Sequence, residues 1–272
     1  MLIDLRSSME RHVYWRADAE DSALRLLANL LPSGGQVLDV GANIGFFTVP
    51  LARLLERGGK VYAFEPVPAN FLKLCDNLRL NGLESSAEPY HLALGSAPAL
   101  AEIHMDDTPQ AITGNACVNP LAPAPGDTFA GADAKGTIEP WHTLSPVRIA
   151  TLDQWSAERK PERCDLMKID VEGGEYAVFQ AAGDFLRRYR PVIYCELNHR
   201  RMRTCRWTEH DLVDLLRPAA YGMHHHRRGR LQPGCVGGPR TENVFLIPQE
   251  RTDDVAASLA RPLANLSELC RP

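Results

Sequence analysis

Six side chains able to hold or take a proton stand where short apolar runs end. Asp39 lies in Val37-Leu38-Asp39-Val40, and Glu65 follows Val61-Tyr62-Ala63-Phe64. Asp170 and Glu172 follow Leu166-Met167-Lys168-Ile169, while Glu196 and His199 come after Val192-Ile193-Tyr194-Cys195. Carboxylates and imidazoles remove protons from alcohols, and a carboxylate also accepts from a pair of ribose hydroxyls. Asp170 and His199 are the candidate general bases, with Glu172 and Glu196 orienting a substrate or neighbouring groups. Asp170 serves equally well as a cap of the turn that follows it, and His199 sits among Arg200, Arg201 and Arg203, a setting usual for a solvated loop histidine. Asp170, Glu172 and Glu196 could together offer oxygen ligands to Mg²⁺, but the metal-free mechanism ranks above this and no metal site is expected.

The turn after the first run narrows the ligand. Gly41 and Gly45 give D-x-G-x-x-x-G, two glycines where a dinucleotide fingerprint has three, and Glu65 comes 20 residues after Gly45. Glycine lets the chain turn sharply and lets a ligand approach the backbone. A carboxylate such as Asp39 repels a diphosphate but attracts an ammonium or a sulfonium, and Glu65 suits a ribose. S-adenosylmethionine (SAM) meets all three demands. Asn43 either bonds the methionine carboxylate or only forms the turn. Phe46, Pro66, Asn70 and Asp170 complete the expected cofactor-binding set with Asp39, Gly41, Asn43, Gly45 and Glu65.

These residues need a frame that brings strand ends together. Phe47, Leu51, Leu54 and Leu55 fall at helical spacing up to Gly58-Gly59, and a second helix opens after Pro66 and stops at Asn81-Gly82. Tyr90–Leu94 reads as a third strand, and Glu102–Met105 and Pro146–Leu152 as partners in a hairpin. A helix follows Glu175, another is capped by Thr208, and Tyr221–His225 and Asn243–Ile247 read as the final strands. Strands alternating with helices predict an α/β fold with a doubly wound, mostly parallel sheet, whose ligands gather at the carboxyl ends of the strands. The expected organisation is an N-terminal helical segment or substrate cap over 1–35, a SAM-dependent domain over 36–250 and a tail over 251–272. Within it the Pro- and Gly-rich stretch 106–146 reads as a substrate-covering loop inserted between strands 3 and 4, with a plain irregular excursion as the alternative.

Composition excludes several classes. The 272 residues are 44% hydrophobic and 24% charged, enough for a sizeable core. A net charge of −4 argues against a general grip on nucleic acid. Charged residues throughout the first thirty positions fit neither a signal peptide nor a membrane span, so a cytoplasmic location is expected. Seven cysteines without a C-x-x-C pair read as free thiols. His224-His225-His226 cannot all face one ion from a strand, and solvation is the expected state. With Arg227, Arg228 and Arg230 they could hold a phosphate or carboxylate of a substrate.

Val37–Phe47, Phe64-Glu65-Pro66, Asn77 through Asn81-Gly82, Thr151-Leu152-Asp153 and above all Lys168-Ile169-Asp170-Val171-Glu172-Gly173-Gly174-Glu175 resemble the FkbM family of SAM-dependent methyltransferases, over roughly 10–248. The resemblance implies a class I methyltransferase (Rossmann-like) sheet of seven strands with the last hairpin antiparallel. It also implies O-methylation of a small-molecule hydroxyl, on a polyketide-type natural product or a saccharide. The expected partner is such a hydroxylated acceptor, with no membrane and no nucleic acid, and a homodimer is left open. Competing expectations are methylation of RNA or another anionic substrate such as a phosphorylated sugar, a non-catalytic SAM- or partner-binding protein, and an NAD-dependent oxidoreductase, which the missing third glycine disfavours.

Overall fold

The computed structural model describes residues 1–2, 17–55, 58–106, 117–119, 141–143, 146–227, 229–235 and 241–262. After helix α1 (Ala17–Ala28) the chain alternates β1 (Gln36–Val40), α2 (Thr48–Leu54), β2 (Lys60–Phe64), α3 (Pro68–Leu80) and β3 (Ala87–Tyr90). Then come β4 (Ala93–Leu94), β5 (Ala99–Asp106), β6 (Cys117–Asn119), β7 (Trp141–Thr143), β8 (Val147–Ala150) and α4 (Leu152–Arg159). The second half runs β9 (Leu166–Ile169), α5 (Glu175–Gln180), α6 (Gly183–Tyr189), β10 (Val192–Asn198), α7 (His199–Thr204) and α8 (Glu209–Leu216). It closes with β11 (Tyr221–Arg227), β12 (Arg230–Pro233), β13 (Thr241–Pro248) and α9 (Thr252–Leu259).

The main sheet has the order β12-β11-β13-β10-β9-β1-β2-β3. β3, β2, β1, β9 and β10 are parallel, and β13, β11 and β12 are added antiparallel. Read from β3, this is the α/β sheet expected, with the final hairpin inserted so that β13 lies between β10 and β11. An eighth strand, β12, is added at the far edge. Alternation puts Leu38, Val40, Met167, Ile169, Ile193 and Cys195 in a core on one face. Val37, Leu166, Val192 and Phe245 lie in a second core on the other face, shared with Leu24 and Leu27 of α1 and Val255 and Leu259 of α9. Helices therefore cover both faces, as a buried parallel sheet requires.

Three expectations need correction. The single third strand Tyr90–Leu94 is divided: β3 ends at Tyr90 in the main sheet, and β4 pairs with β8 in a second sheet ordered β4-β8-β5-β6. That sheet contains the expected pairing of the segments around 99–106 and 147–150, joined by β6 and β7, which pair with β5. The stretch 106–146 thus contributes strands; its remaining residues, and with them the covering role, lie outside the described residues. The histidine tract is not solvated: His224 and His225 are buried and His226 half-buried. The cause is β12, whose pairing with His224–Arg227 makes β11 an inner strand. Burial pushes the His224 and His226 imidazoles below the usual histidine range, and His225 Nδ1 lies 3.4 Å from Glu242. Arg228 lies outside the described residues.

Candidate active site

The carboxyl ends of β1, β2, β9 and β10 meet at one edge of the sheet, and the turns after them carry nearly every residue singled out from the sequence. The β1 turn is bound to its neighbours. Gly41 and Ala42 donate their N–H groups to the Phe64 carbonyl at 3.0 and 2.9 Å, and Asp170 donates its N–H to Val40 at 3.0 Å. Gly41 has φ +81°, and a Cβ there would lie 1.9 Å from the Asp170 carbonyl oxygen. This glycine is therefore required by the contact between the β1 and β9 turns. Gly45, at φ +100°, is likewise closed in by Leu74 and Val49. Asn43 adopts φ 52°, and its Oδ1 accepts the Ile44 N–H at 2.8 Å, so its side chain helps to form the turn. Phe46 is buried.

Glu65 ends β2 at 4% exposure. Its Oε2 accepts the Asn43 N–H at 2.7 Å and its Oε1 the Val67 N–H at 2.8 Å. Asn70, also buried, adds a side-chain hydrogen bond. Burial outweighs these bonds and pushes the carboxyl up to about 7. Pro66 leads into α3, its carbonyl 3.0 Å from His91 Nε2.

Asp39 is fully buried and turned into the protein. Its Oδ2 accepts from Thr48 Oγ1 at 2.5 Å, and its Oδ1 lies 3.6 Å from Lys168 Nζ. The charge expected to draw a cationic ligand is thus met by the chain's own ammonium. Lys168 was not singled out as a site residue from the sequence. Asp39 and Lys168 are register partners on adjacent parallel strands, on the same face. Two opposite charges inside the apolar runs VLDV and LMKI were the available signal. Lys168 Nζ donates to the Gly41 carbonyl at 3.0 Å, lies 3.7 Å from Asp170 Oδ2 and sits 5.2 Å from the Phe47 ring centroid. Burial alone lowers an ammonium, but Asp39, Asp170, Glu196 and Glu65 outweigh it and hold Lys168 above its ordinary value.

Asp170 keeps 28% of its side chain exposed, so it can meet a ligand. Glu172, at φ 54°, accepts from Asn198 Nδ2 at 3.4 Å and lies 3.5 Å from Arg201 Nε. Glu175, the first residue of α5, is buried beneath this turn. Its Oε1 accepts the N–H groups of Val171 at 3.0 Å and Gly173 at 3.3 Å. Burial pushes its carboxyl up to about 7. Trp207 Nε1 donates to the Gly173 carbonyl at 2.7 Å and closes the turn from the other side. Glu196 is half-buried on β10, close enough to Lys168 to act on its charge. His199 opens α7 directly after β10, and its Nε2 lies 2.6 Å from Glu209 Oε1 of α8, with both groups buried.

Among the described residues, no group of three or more His, Cys, Asp and Glu side chains is placed to hold a metal ion, and no helix is long and apolar enough to cross a membrane. Cys75, Cys164, Cys195, Cys205 and Cys235 are free thiols.

The chain is similar to Methyltransferase sdnD of Sordaria araneosa, with 31% identity over 176 residues, 58% of this chain and 64% of that protein. The match thus spans under two thirds of the relative's length. Among solved structures it resembles Methyltransferase FkbM from Methylobacillus flagellatus KT, with a TM-score of 0.47, 15% identity, and 80% of this chain and 47% of that one covered. It also resembles M. jannaschii TYW2 in complex with AdoMet, with a TM-score of 0.39, 15% identity, and 86% and 77% covered. A family model described as the Methyltransferase FkbM domain matches residues 39–225, the span from the end of β1 and its turn through β2, β9, β10 and their turns, and the chain belongs to that family.

Proposed function

We propose that this protein is a SAM-dependent O-methyltransferase that methylates a hydroxyl of a small molecule, either a polyketide-type natural product or a saccharide. The observation that supports it most is the juxtaposition, at neighbouring strand ends, of Glu65, the Gly41–Asn43 turn and a partly exposed Asp170. The donor set fits SAM. When ionised, Glu65 presents only acceptors; both oxygens are fixed by backbone N–H groups and one takes the Asn70 bond as well, which leaves lone-pair capacity on the carboxylate for a ribose hydroxyl. Four carboxylates act on one ammonium here, an excess of negative charge that suits a cationic ligand. Glu65 would hold the ribose, and the Gly41–Asn43 turn would hold the amino-acid end.

When bound, SAM supplies an electrophilic methyl group on a sulfonium. The protein's part is to align the acceptor oxygen and take its proton. Asp170 is the proposed base, because it stands at the strand ends and remains accessible. Glu196 and Glu172 would orient the acceptor. His199, buried against Glu209, ranks behind Asp170 for this step.

The test is the thermal unfolding midpoint with S-adenosylhomocysteine, with NAD as control, followed by transfer of labelled methyl from SAM to hydroxylated acceptors. A ligand at about 100 times its Kd stabilises by roughly 2.7 kcal/mol, so a shift with the homocysteine and none with NAD is expected. No shift at saturating ligand would sink the cofactor reading and favour a purely structural turn at Gly41. A shift without transfer to any hydroxylated acceptor would favour a non-catalytic binder.

A further inference from the structure

We infer that Lys168 is a positioning residue of the proposed pocket: its buried ammonium fixes the Gly41 turn and the Asp170 carboxylate in one arrangement, beyond its service in balancing Asp39. The inference rests on the reading just proposed. Withdrawing an ammonium from water is costly unless its hydrogen bonds and charge are met. Here one hydrogen bond goes to the Gly41 carbonyl at 3.0 Å, and two carboxylates, Asp39 within β1 and Asp170 just after β9, stand at 3.6 and 3.7 Å. Phe47, the residue just before α2, lies with its ring centroid 5.2 Å from the ammonium. Lys168 therefore touches the turns after β1 and β9 at once. Balancing Asp39 alone would require neither the bond to Gly41 nor the approach to Asp170.

The two roles separate by mutation. K168M removes the ammonium while keeping much of the stem, and leaves Asp39 buried without a cation. The double variant K168M/D39N restores the charge balance inside the sheet but leaves the Gly41 carbonyl and Asp170 without their partner. Thermal midpoints and S-adenosylhomocysteine affinity by calorimetry are measured for wild type, D39N, K168M and K168M/D39N. Expected is a loss of stability in K168M that the second substitution largely recovers, with affinity for the homocysteine still about tenfold weaker than in D39N. In ¹³C-carboxyl spectra at one fixed pH, with the Asp170 signal identified through D170N, that signal should move between D39N and K168M/D39N, because the cation 3.7 Å from it has gone. Equal affinities and an unmoved Asp170 signal in a stable double variant would overturn the inference and leave Lys168 a structural counter-charge. A double variant no more stable than K168M would also overturn it, by making the lysine's contribution one of packing. Wild-type protein that fails to bind the homocysteine would instead refute the proposed function on which it rests.

Discussion

Glu175 offers the sharpest pH-dependent test of how the β9 turn is built. Its carboxyl is raised from an ordinary 4.5 to about 7, chiefly by burial. A folded-state value above the unfolded one means that the unfolded chain binds fewer protons between the two. The stability contributed by this group is then fully present below pH 4.5 and is lost as pH rises through about 7. At about 1.36 kcal/mol per unit, the loss amounts to about 3 kcal/mol. Glu175→Gln removes the titration and keeps an Oε1 that can accept the Val171 and Gly173 N–H groups. Its new amide N–H₂ falls where Oε2 is buried without a hydrogen-bond partner, at a pH-independent cost of about 1–3 kcal/mol. The variant should therefore be less stable than wild type at pH 5 and about equal to it or better at pH 8. Urea midpoints at the two pH values read this directly. Glu65 contributes a pH dependence of the same sign to both proteins, so the difference between them isolates Glu175. Stability profiles that stay parallel from pH 5 to pH 8 would show that Glu175 does not carry the burial penalty argued for it.

Other substitutions separate binding, folding and turnover. Glu65→Ala should weaken S-adenosylhomocysteine binding by about tenfold or more, the scale of a lost hydrogen bond to a charged group; unchanged affinity by calorimetry would remove Glu65 from the ribose site. Gly41→Ala combines a positive φ with a Cβ driven into the Asp170 carbonyl, so a loss of about 3 kcal/mol or more is expected; a thermal midpoint within a degree of wild type would contradict that packing. Asp170→Asn should leave homocysteine affinity within a few-fold while lowering turnover by about 10²-fold or more, and full activity would exclude it as the base.

The strands β1, β2, β9, β10, β11 and β13 were legible because their apolar runs are short, nearly continuous and mostly bounded by glycine or a charged residue, whereas the antiparallel last hairpin was implied by the family resemblance. Helix boundaries at Asn81-Gly82 and Thr208 were legible for the same local reason. Thr208 indeed forms a capping box with Asp211. What stayed hidden were relations across strands. Nothing in the spacing of Asp39 and Lys168 says that they are register partners, so Asp39 looked like a ligand-facing charge when it is an internal one. The burial of Glu175 stayed hidden because its two N–H partners come from a turn whose shape depends on Gly173 packing under Arg201. The histidine tract looked solvated because β12, a strand of mostly exposed residues, has no apolar pattern to announce it. The partner of His199 stayed hidden because Glu209 lies on a separate helix.

The local charge distribution also bears on the choice between a small acceptor and RNA. Asp39, Asp170, Glu196 and Glu65 surround a single ammonium, so a phosphate backbone brought to the strand ends meets repulsion. The arginines beside the site do not reverse this: Arg201 is paired with Glu172, and Arg200 and Arg203 are exposed on α7, where salt screens them. A protein that neutralises Z phosphates of a single strand loses affinity with salt at a logarithmic slope of about −0.7Z. With at most two or three exposed arginines engaged, a single-stranded oligonucleotide should bind weakly at about 50 mM salt, with a slope no steeper than about −2. Fluorescence anisotropy across a salt series measures it. A slope of about −4 or steeper would mean that six or more phosphates are held, more than these residues can supply, and would make RNA the better acceptor.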